Sequence, residues 1–301
     1  EVIEVWMKVQ AKWMYLEAIF IGSEDIRLQL PEEAKRFDRI HNAFKKTMAE
    51  AHKNPNVLDC CTVDGRLAAL QGLFSQLEAC QKSLSDYLET KRTVFPRFYF
   101  LSDDELLQIL GTSDPTAVQE HMLKLFDNVK SLTFGSAGAK VLGMESSEGE
   151  QFSFKTQQAT EGVVENWLSV VESEMVTTLR RIMKEATFQY ADSERISWLA
   201  DNLGMMVNTA AQIWWTYEVM DVFAKVRGGD KMGMKNFSTK CHKLLHDLIV
   251  AVRDTSGSKQ RTKKLNCLII IDVHARDIID TFVRDSVLDE KEFAWESQLR
   301  F

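Results

Sequence analysis

His242 and His246 stand four residues apart beside Cys241, and on a helix that spacing puts both imidazoles on one face, where they can ligate zinc. Lys243, however, follows His242 where the zinc-protease motif carries its glutamate, and no further ligand stands nearby. A half-exposed helical pair is the stronger reading. A di-iron bundle needs Glu-x-x-His twice. The sequence offers Asp-x-x-His once instead, at Asp38 and His41, which reads as surface. Gly228 and Gly233 have the interval of a phosphate-binding loop, but Met234 occupies the position of its lysine. Gly135-Ser136-Ala137-Gly138-Ala139-Lys140 fails on spacing, so both stretches read as turns. Neither Gly135-Ser136 nor Ser256-Gly257-Ser258 builds the Gly-x-Ser-x-Gly elbow of a hydrolase. His274, within Asp272-Val273-His274-Ala275-Arg276-Asp277, has the groups for acid–base work. A polar helix face is the simpler account, with Asp272 and Arg276 pairing four residues apart. No residue is therefore assigned to catalysis, cofactor binding or metal binding.

The elements that would position such groups are helical. The chain has 301 residues, 45% of them hydrophobic and 27% charged, with only four prolines and fourteen glycines. So few breakers favour long helices over a many-turned β architecture, and the length suggests about two domains. Net charge is −7, from 37 basic and 44 acidic residues, which speaks against a general nucleic-acid binder. No apolar run approaches the roughly 18 residues of a membrane span; the longest, Leu268-Ile269-Ile270-Ile271, stops at Asp272. Glu1 and Glu4 stand where a signal peptide would be positive, and the missing initiator Met reads as a piece of something longer. Five cysteines without repeated spacing, Cys60-Cys61 among them, read as free thiols of a reducing compartment.

Apolar residues three and four apart predict a helix over 1–21, broken by Gly22-Ser23-Glu24-Asp25, and a second from Pro31 to about Lys53, ended by Asn54-Pro55-Asn56. Residues 64–92 carry Leu67, Leu70, Phe74, Leu77, Cys80, Leu84 and Leu88, the pattern of a helix packed nearly parallel or antiparallel to another. Phe95-Pro96-Arg97-Phe98-Tyr99-Phe100 is aromatic and reads as a short strand. Ser102 and Glu105 form a capping box that opens a short helix to Leu110, and Asp114-Pro115 opens another. Val129–Phe134, Ala139–Met144 and Gln151–Lys155 predict a small antiparallel sheet. Long helices follow over 164–186, from Ser193 through Phe223 to Gly228-Gly229, over 231–254, and over 259–286 after a break at Gly257. A last turn or two covers Glu290–Leu299.

The expected fold is mainly α: an elongated rod of stacked antiparallel helical bundles with a small antiparallel β-sheet insert. Three segments are expected: an N-terminal bundle over 1–95, a mixed segment over 96–160 and a C-terminal bundle over 161–301. Trp214-Trp215 places two indoles about 100° apart on one helix. Either two bundles clasp that helix or one indole meets a partner.

Longer stretches carry a resemblance. Trp13-Met14-Tyr15-Leu16-Glu17-Ala18-Ile19-Phe20-Ile21-Gly22-Ser23-Glu24-Asp25-Ile26, then Leu30-Pro31 and Phe37, closely resembles the linker region of dynein heavy chains. So does Phe95–Leu107, and Leu125-Phe126-Asp127-Asn128, Val141-Leu142-Gly143-Met144 and Phe293–Phe301 follow in the family's order. Ile271–Asp277 resembles axonemal heavy chains more than the cytoplasmic transport form.

That resemblance implies a helical rod lying across a ring of AAA+ modules, bending at a cleft and straightening again in the power stroke. It implies that the first AAA+ module follows Phe301 and that part of the linker precedes Glu1. No cofactor is expected in this stretch; ATP and magnesium belong to the ring of the parent chain. The expected partner is that ring, with intermediate or light chains and the microtubule engaged only indirectly, and neither nucleic acid nor membrane. The expected setting is the cytoskeleton of a cilium or flagellum. The mixed stretch 96–160 and Gly228-Gly229 are the hinge candidates. The alternative is a passive helical scaffold that binds other chains through the Trp214-Trp215 face and never bends.

Overall fold

The computed structural model describes residues 1–254, 258–298 and Arg300. The expected break at Gly257 and the end of the last turn at Leu299 lie outside the described residues, as does Phe301. Among the described residues the chain is mainly helical, with one three-stranded antiparallel sheet. It divides into two compact units. One comprises residues 1–145 and 156–173, the other residues 146–155 and 174–301.

The first unit is built on α1 (Val2–Phe20), α3 (Pro31–Lys53) and α5 (Arg66–Val94), which pack on one another. Pro31 sits in the first turn of α3, with Glu32 and Glu33 beside it, where acids meet the positive end of the helix dipole. Gly65 enters α5 at φ 75°, a left-handed turn that suits glycine. The core joins Val9, Leu16 and Phe20 to Phe37, Ile40 and Phe44, and to Leu70, Leu77, Cys80, Leu84 and Leu88. The apolar stripe expected along 64–92 is therefore the buried seam of a bundle. Two short helices stand where breaks were expected: α2 (Glu24–Gln29) and α4 (Val57–Thr62). Ser23 and Asn56 cap them, accepting from the backbone N–H of Ile26 and Leu58. The polar residues that end one helix begin the next.

Phe95–Phe100 is not a strand. Pro96–Phe100 is a 3₁₀ helix, in which Leu101 N–H donates to Phe98 C=O at 3.1 Å. Pro96 fixes a helical φ, and three residues per turn bring Phe95 and Phe98 to one side, edge to face at 5.0 Å. A strand would have put Phe95 and Phe98 on opposite faces, with Arg97 beside Phe95. The capping box forms at α6 (Asp103–Leu110). The segment opened by Asp114-Pro115 is a 3₁₀ helix, Pro115–His121, running into the single turn α7 (Met122–Leu125).

The strands are β1 (Val129–Phe134), β2 (Lys140–Ser146) and β3 (Gln151–Ala159), in that order across the sheet. Gln119 hydrogen-bonds both backbone groups of Leu132, at 2.7 and 2.8 Å. An amide side chain thus satisfies the edge of β1 as a further strand would.

After α8 (Val164–Asp192), the long helix expected from Ser193 to Phe223 proves to be two: α9 (Arg195–Asp201) and α10 (Gly204–Arg227). Asn202 causes the break, its Nδ2 donating to Trp198 C=O at 2.9 Å. The cap of α9 is Glu194, accepting from Ser197 N–H, rather than Ser193. Glu150, from the turn between β2 and β3, accepts from Gly204 N–H at 2.8 Å and holds negative charge at the start of α10. Three helices complete the second unit: α11 (Gly233–Arg253), α12 (Lys259–Asp285) and α13 (Phe293–Glu296).

The capping box generates the first prediction. Ser102→Ala should destabilise the first unit by about 1 kcal/mol in thermal unfolding. The Glu105 carboxyl is held at about 2, chiefly by its bond from Lys124 and then by the Ser102 backbone N–H. Its contribution is complete above the ordinary value of about 4.5 and is lost as pH falls towards 2. Glu105→Gln should remove that part of the acid sensitivity in melts across the same range.

Candidate functional site

The side chains singled out for chemistry are scattered, but several meet at one cavity of the second unit. The cavity, about 370 Å³, lies among α8, α9, α10, α11 and α12. Tyr190, Arg195, Trp215, Cys241, Asp272 and His274 all line it.

Asp272 does not pair with Arg276. Both of its oxygens accept from Arg195, at 2.6 and 2.8 Å, with each side chain only 13% exposed. Arg276 turns instead to its neighbour Asp277, at 2.6 Å. Burial alone would lower the Arg195 pKa, but the hydrogen bond and charge of Asp272 outweigh it and leave it raised. Both oxygens of the Asp272 carboxylate are thus engaged by a buried guanidinium rather than free to meet a substrate. Cys241 is buried, and burial, followed by the charges of Asp272 and Glu218, pushes its thiol up to about 12. At neutral pH it is a protonated, weakly nucleophilic group. Burial likewise raises the Tyr190 phenol. His274 is exposed at the rim.

The other expected groups are dispersed. His242 is exposed and its Nε2 lies 2.9 Å from Asp280, which also accepts from Ser238 at 2.7 Å. Burial pushes the Asp280 carboxyl up, but these bonds outweigh it and hold it below the usual range. His246 is exposed one turn on. Among the described residues no three His, Cys, Asp or Glu side chains converge as a metal site would require. Asp38 is bound bidentately by Arg27, at 2.7 and 2.9 Å, while His41 stacks on Trp13 at 5.5 Å between centroids. Gly228 ends α10 and Gly233 begins α11, while Gly135–Lys140 is the turn between β1 and β2. Ser258 caps α12, and Ser256-Gly257 lies outside the described residues. All five cysteines are free thiols.

The two adjacent indoles do separate. Trp214 stacks on Tyr190 at 5.4 Å and donates to Thr187 C=O at 2.7 Å. Trp215 packs on Trp295 at 5.5 Å, against the cluster of Phe223, Phe237, Ile279 and Phe282. Tyr190 packs against a second cluster, built on Trp198, Leu199, Val207, Leu248 and Leu268. Helix α10 is thus covered on two sides by clusters of one unit rather than by two bundles. Arg195 was missed as a functional residue, because its partner lies 77 positions away and no local spacing signals it.

The arrangement binds and braces. If the ion pair braces this unit, Asp272→Ala should cost about 3–5 kcal/mol in denaturant unfolding, since it strands a buried guanidinium. Arg195→Met with Asp272→Leu should recover most of that loss. Cys241 should resist alkylation at pH 8 in the folded chain and react once it is unfolded, while exposed Cys267 reacts throughout.

Comparison with known proteins places these observations in a family context. The family described as Dynein heavy chain, N-terminal region 2, matches residues 1–186. The chain is 53% identical over 305 residues to Dynein axonemal heavy chain 10 of Homo sapiens, with all of the chain and 7% of that protein covered. It is 59% identical over 301 residues to the Dynein-1-alpha heavy chain, flagellar inner arm I1 complex, of Chlamydomonas reinhardtii, covering all of the chain and 6% of that protein. Identity to the Dynein-1-beta heavy chain of the same complex is 40% over 307 residues, covering all of the chain and 7% of that protein. The chain thus spans less than a tenth of the length of the curated relatives it matches.

Proposed function

The chain belongs to the dynein heavy chains, in their N-terminal region, and from that premise we propose that it is the mechanical linker of an axonemal motor. It bends and straightens across the AAA+ ring and converts ATP-driven changes there into movement along microtubules. ATP and magnesium act in the ring, and this stretch contributes no catalytic group. Its direct partner is the rest of the same heavy chain, with intermediate or light chains and the microtubule reached through it. The setting is the axoneme of a cilium or flagellum, in keeping with the axonemal and flagellar relatives.

The observation that carries this reading is the division into two separately cored helical units. A lever needs bodies that resist deformation and a place where two arrangements differ by only a few kcal/mol. Long helices such as the 29-residue α5, packed on α1 and α3 within one unit, supply the first requirement. For the second we assign the bend to the crossings between units, at 145/146, 155/156 and 173/174. The first two fall within the expected 96–160 stretch. Gly228-Gly229 fits the role less well, since it joins α10 and α11 within one unit and one shared core.

Leu58 and Ile270, 73% and 70% exposed in different units, are suitable sites for a donor and an acceptor dye in the whole heavy chain. Energy transfer between them should change between the nucleotide-free and ATP-analogue-bound motor. Transfer that is unchanged in every nucleotide state would favour the passive scaffold.

A further inference from the structure

One face of the second unit is left electrically open. Along α8, Arg180, Lys184 and Phe188 follow at steps of four and so form a single row. Lys155 of β3 lies beside it, its backbone N–H donating to Thr178 Oγ1 at 3.3 Å. These residues line one open groove together with Arg181 and Glu185. Arg181 and Glu185 satisfy each other, at 2.9 and 3.0 Å. Among the described residues, no carboxylate lies within 4.0 Å of the charged ends of Lys155, Arg180 or Lys184. Elsewhere in this acidic chain of net charge −7, Arg27, Arg97, Arg195, Arg227 and Lys240 each hold an acid. At the end of the row Phe188 is 72% exposed. Three uncompensated cations running up to an exposed ring are complementary to carboxylates that flank an apolar side chain.

We propose that this face docks an acidic segment of the same heavy chain outside these residues. Its carboxylates meet Lys155, Arg180 and Lys184, and an apolar side chain covers Phe188. The proposal rests on the linker reading above and deepens it by naming one docking surface and the chemistry of its partner. The source in cis follows from size, because more than nine-tenths of a heavy chain of the relatives' length lies outside this stretch. Tethered surface is present at high effective concentration, so contacts that are individually weak suffice. Exposed charge pairs are also readily released, because salt and solvent screen them.

The test replaces Phe188 with the photo-crosslinking residue p-benzoylphenylalanine in the full-length heavy chain. The same substitution at Tyr217, 63% exposed in the same unit, serves as control. The expected product is an intramolecular crosslink to a peptide with Asp or Glu beside an apolar residue. Its yield should fall several-fold as salt is raised to about 0.5 M, and fall similarly with Arg180→Glu and Lys184→Glu. Both are exposed, and Lys184→Gln, expected to give a smaller loss, checks that charge rather than misfolding is responsible. The proposal is overturned by a yield no higher than at Tyr217, or by a crosslink to a second copy, another polypeptide or nucleic acid. A yield indifferent to salt and to charge reversal overturns it too. The two readings can fail separately. A salt-sensitive intramolecular crosslink, with energy transfer between Leu58 and Ile270 unchanged in every nucleotide state, supports docking while removing a nucleotide-gated lever. Energy transfer that changes with nucleotide, without a crosslink, does the reverse.

Discussion

Helix α10 cannot be solvated on either of two sides, and the second unit follows from that constraint. Trp214 and Trp215 are about 100° apart on the helix, so no single neighbouring surface covers both. The structure gives each its own cover, with Tyr190 stacked on one and Trp295 against the other. Around the first, Trp198, Leu248 and Leu268 assemble from α9, α11 and α12; around the second, Phe237, Phe282 and Trp295 assemble from α11, α12 and α13. Both clusters therefore draw on α10, α11 and α12, so a disturbance of α10 is felt in both. Rigidity of this kind comes from shared helices rather than from helix propensity.

Charge is handled in two ways, and the difference separates structure from surface. Where cations are buried, each has a dedicated acid. Lys91 meets Glu165, Arg195 meets Asp272, and Lys264 lies 3.4 Å from the Glu150 that caps α10. Such pairs are poor sources of net stability, since desolvation offsets most of the attraction. They do fix geometry, because a misplaced partner leaves a bare charge in the interior. The Arg195–Asp272 pair illustrates why a cavity lined by Tyr, Cys, Asp and His need not be catalytic. Both oxygens of its carboxylate are already bound by Arg195 and its thiol holds its proton.

Local physics made much of the fold legible. The three- and four-residue steps from Leu70 to Leu88, the Ser102–Glu105 box and the three strands between Gly-rich turns each need only neighbours in sequence, and all stand in the structure. The misreadings have physical causes of the same scale. Aromatic density over Phe95–Phe100 suggested a strand, while Pro96 and three-residue packing made a 3₁₀ helix. Ser23 and Asn56 were read as terminators because the polar residues that stop a helix are also those that start one. The candidate site was less legible, because it is built from distant pairs. Asp272 had a plausible partner four residues away in Arg276, worth a few tenths of a kcal/mol on an exposed helix. Tertiary packing supplied Arg195 instead, with two hydrogen bonds.

The linker function proposed above makes two demands that ordinarily conflict. Within each body, contacts must be strong and specific enough that load does not dissipate in local unfolding. Between a moving body and its docking partners, contacts must be weak enough to break each cycle. The chemistry of this chain is distributed along that line. Its clustered aromatic rings and buried ion pairs lie inside, where breaking one strands an apolar surface or a bare charge and is slow. The cations of α8 that lack carboxylates face water, where any pairing is shallow, screened by salt and quickly reversed. An exposed ring beside unpaired charge is the composition of a surface that another segment covers.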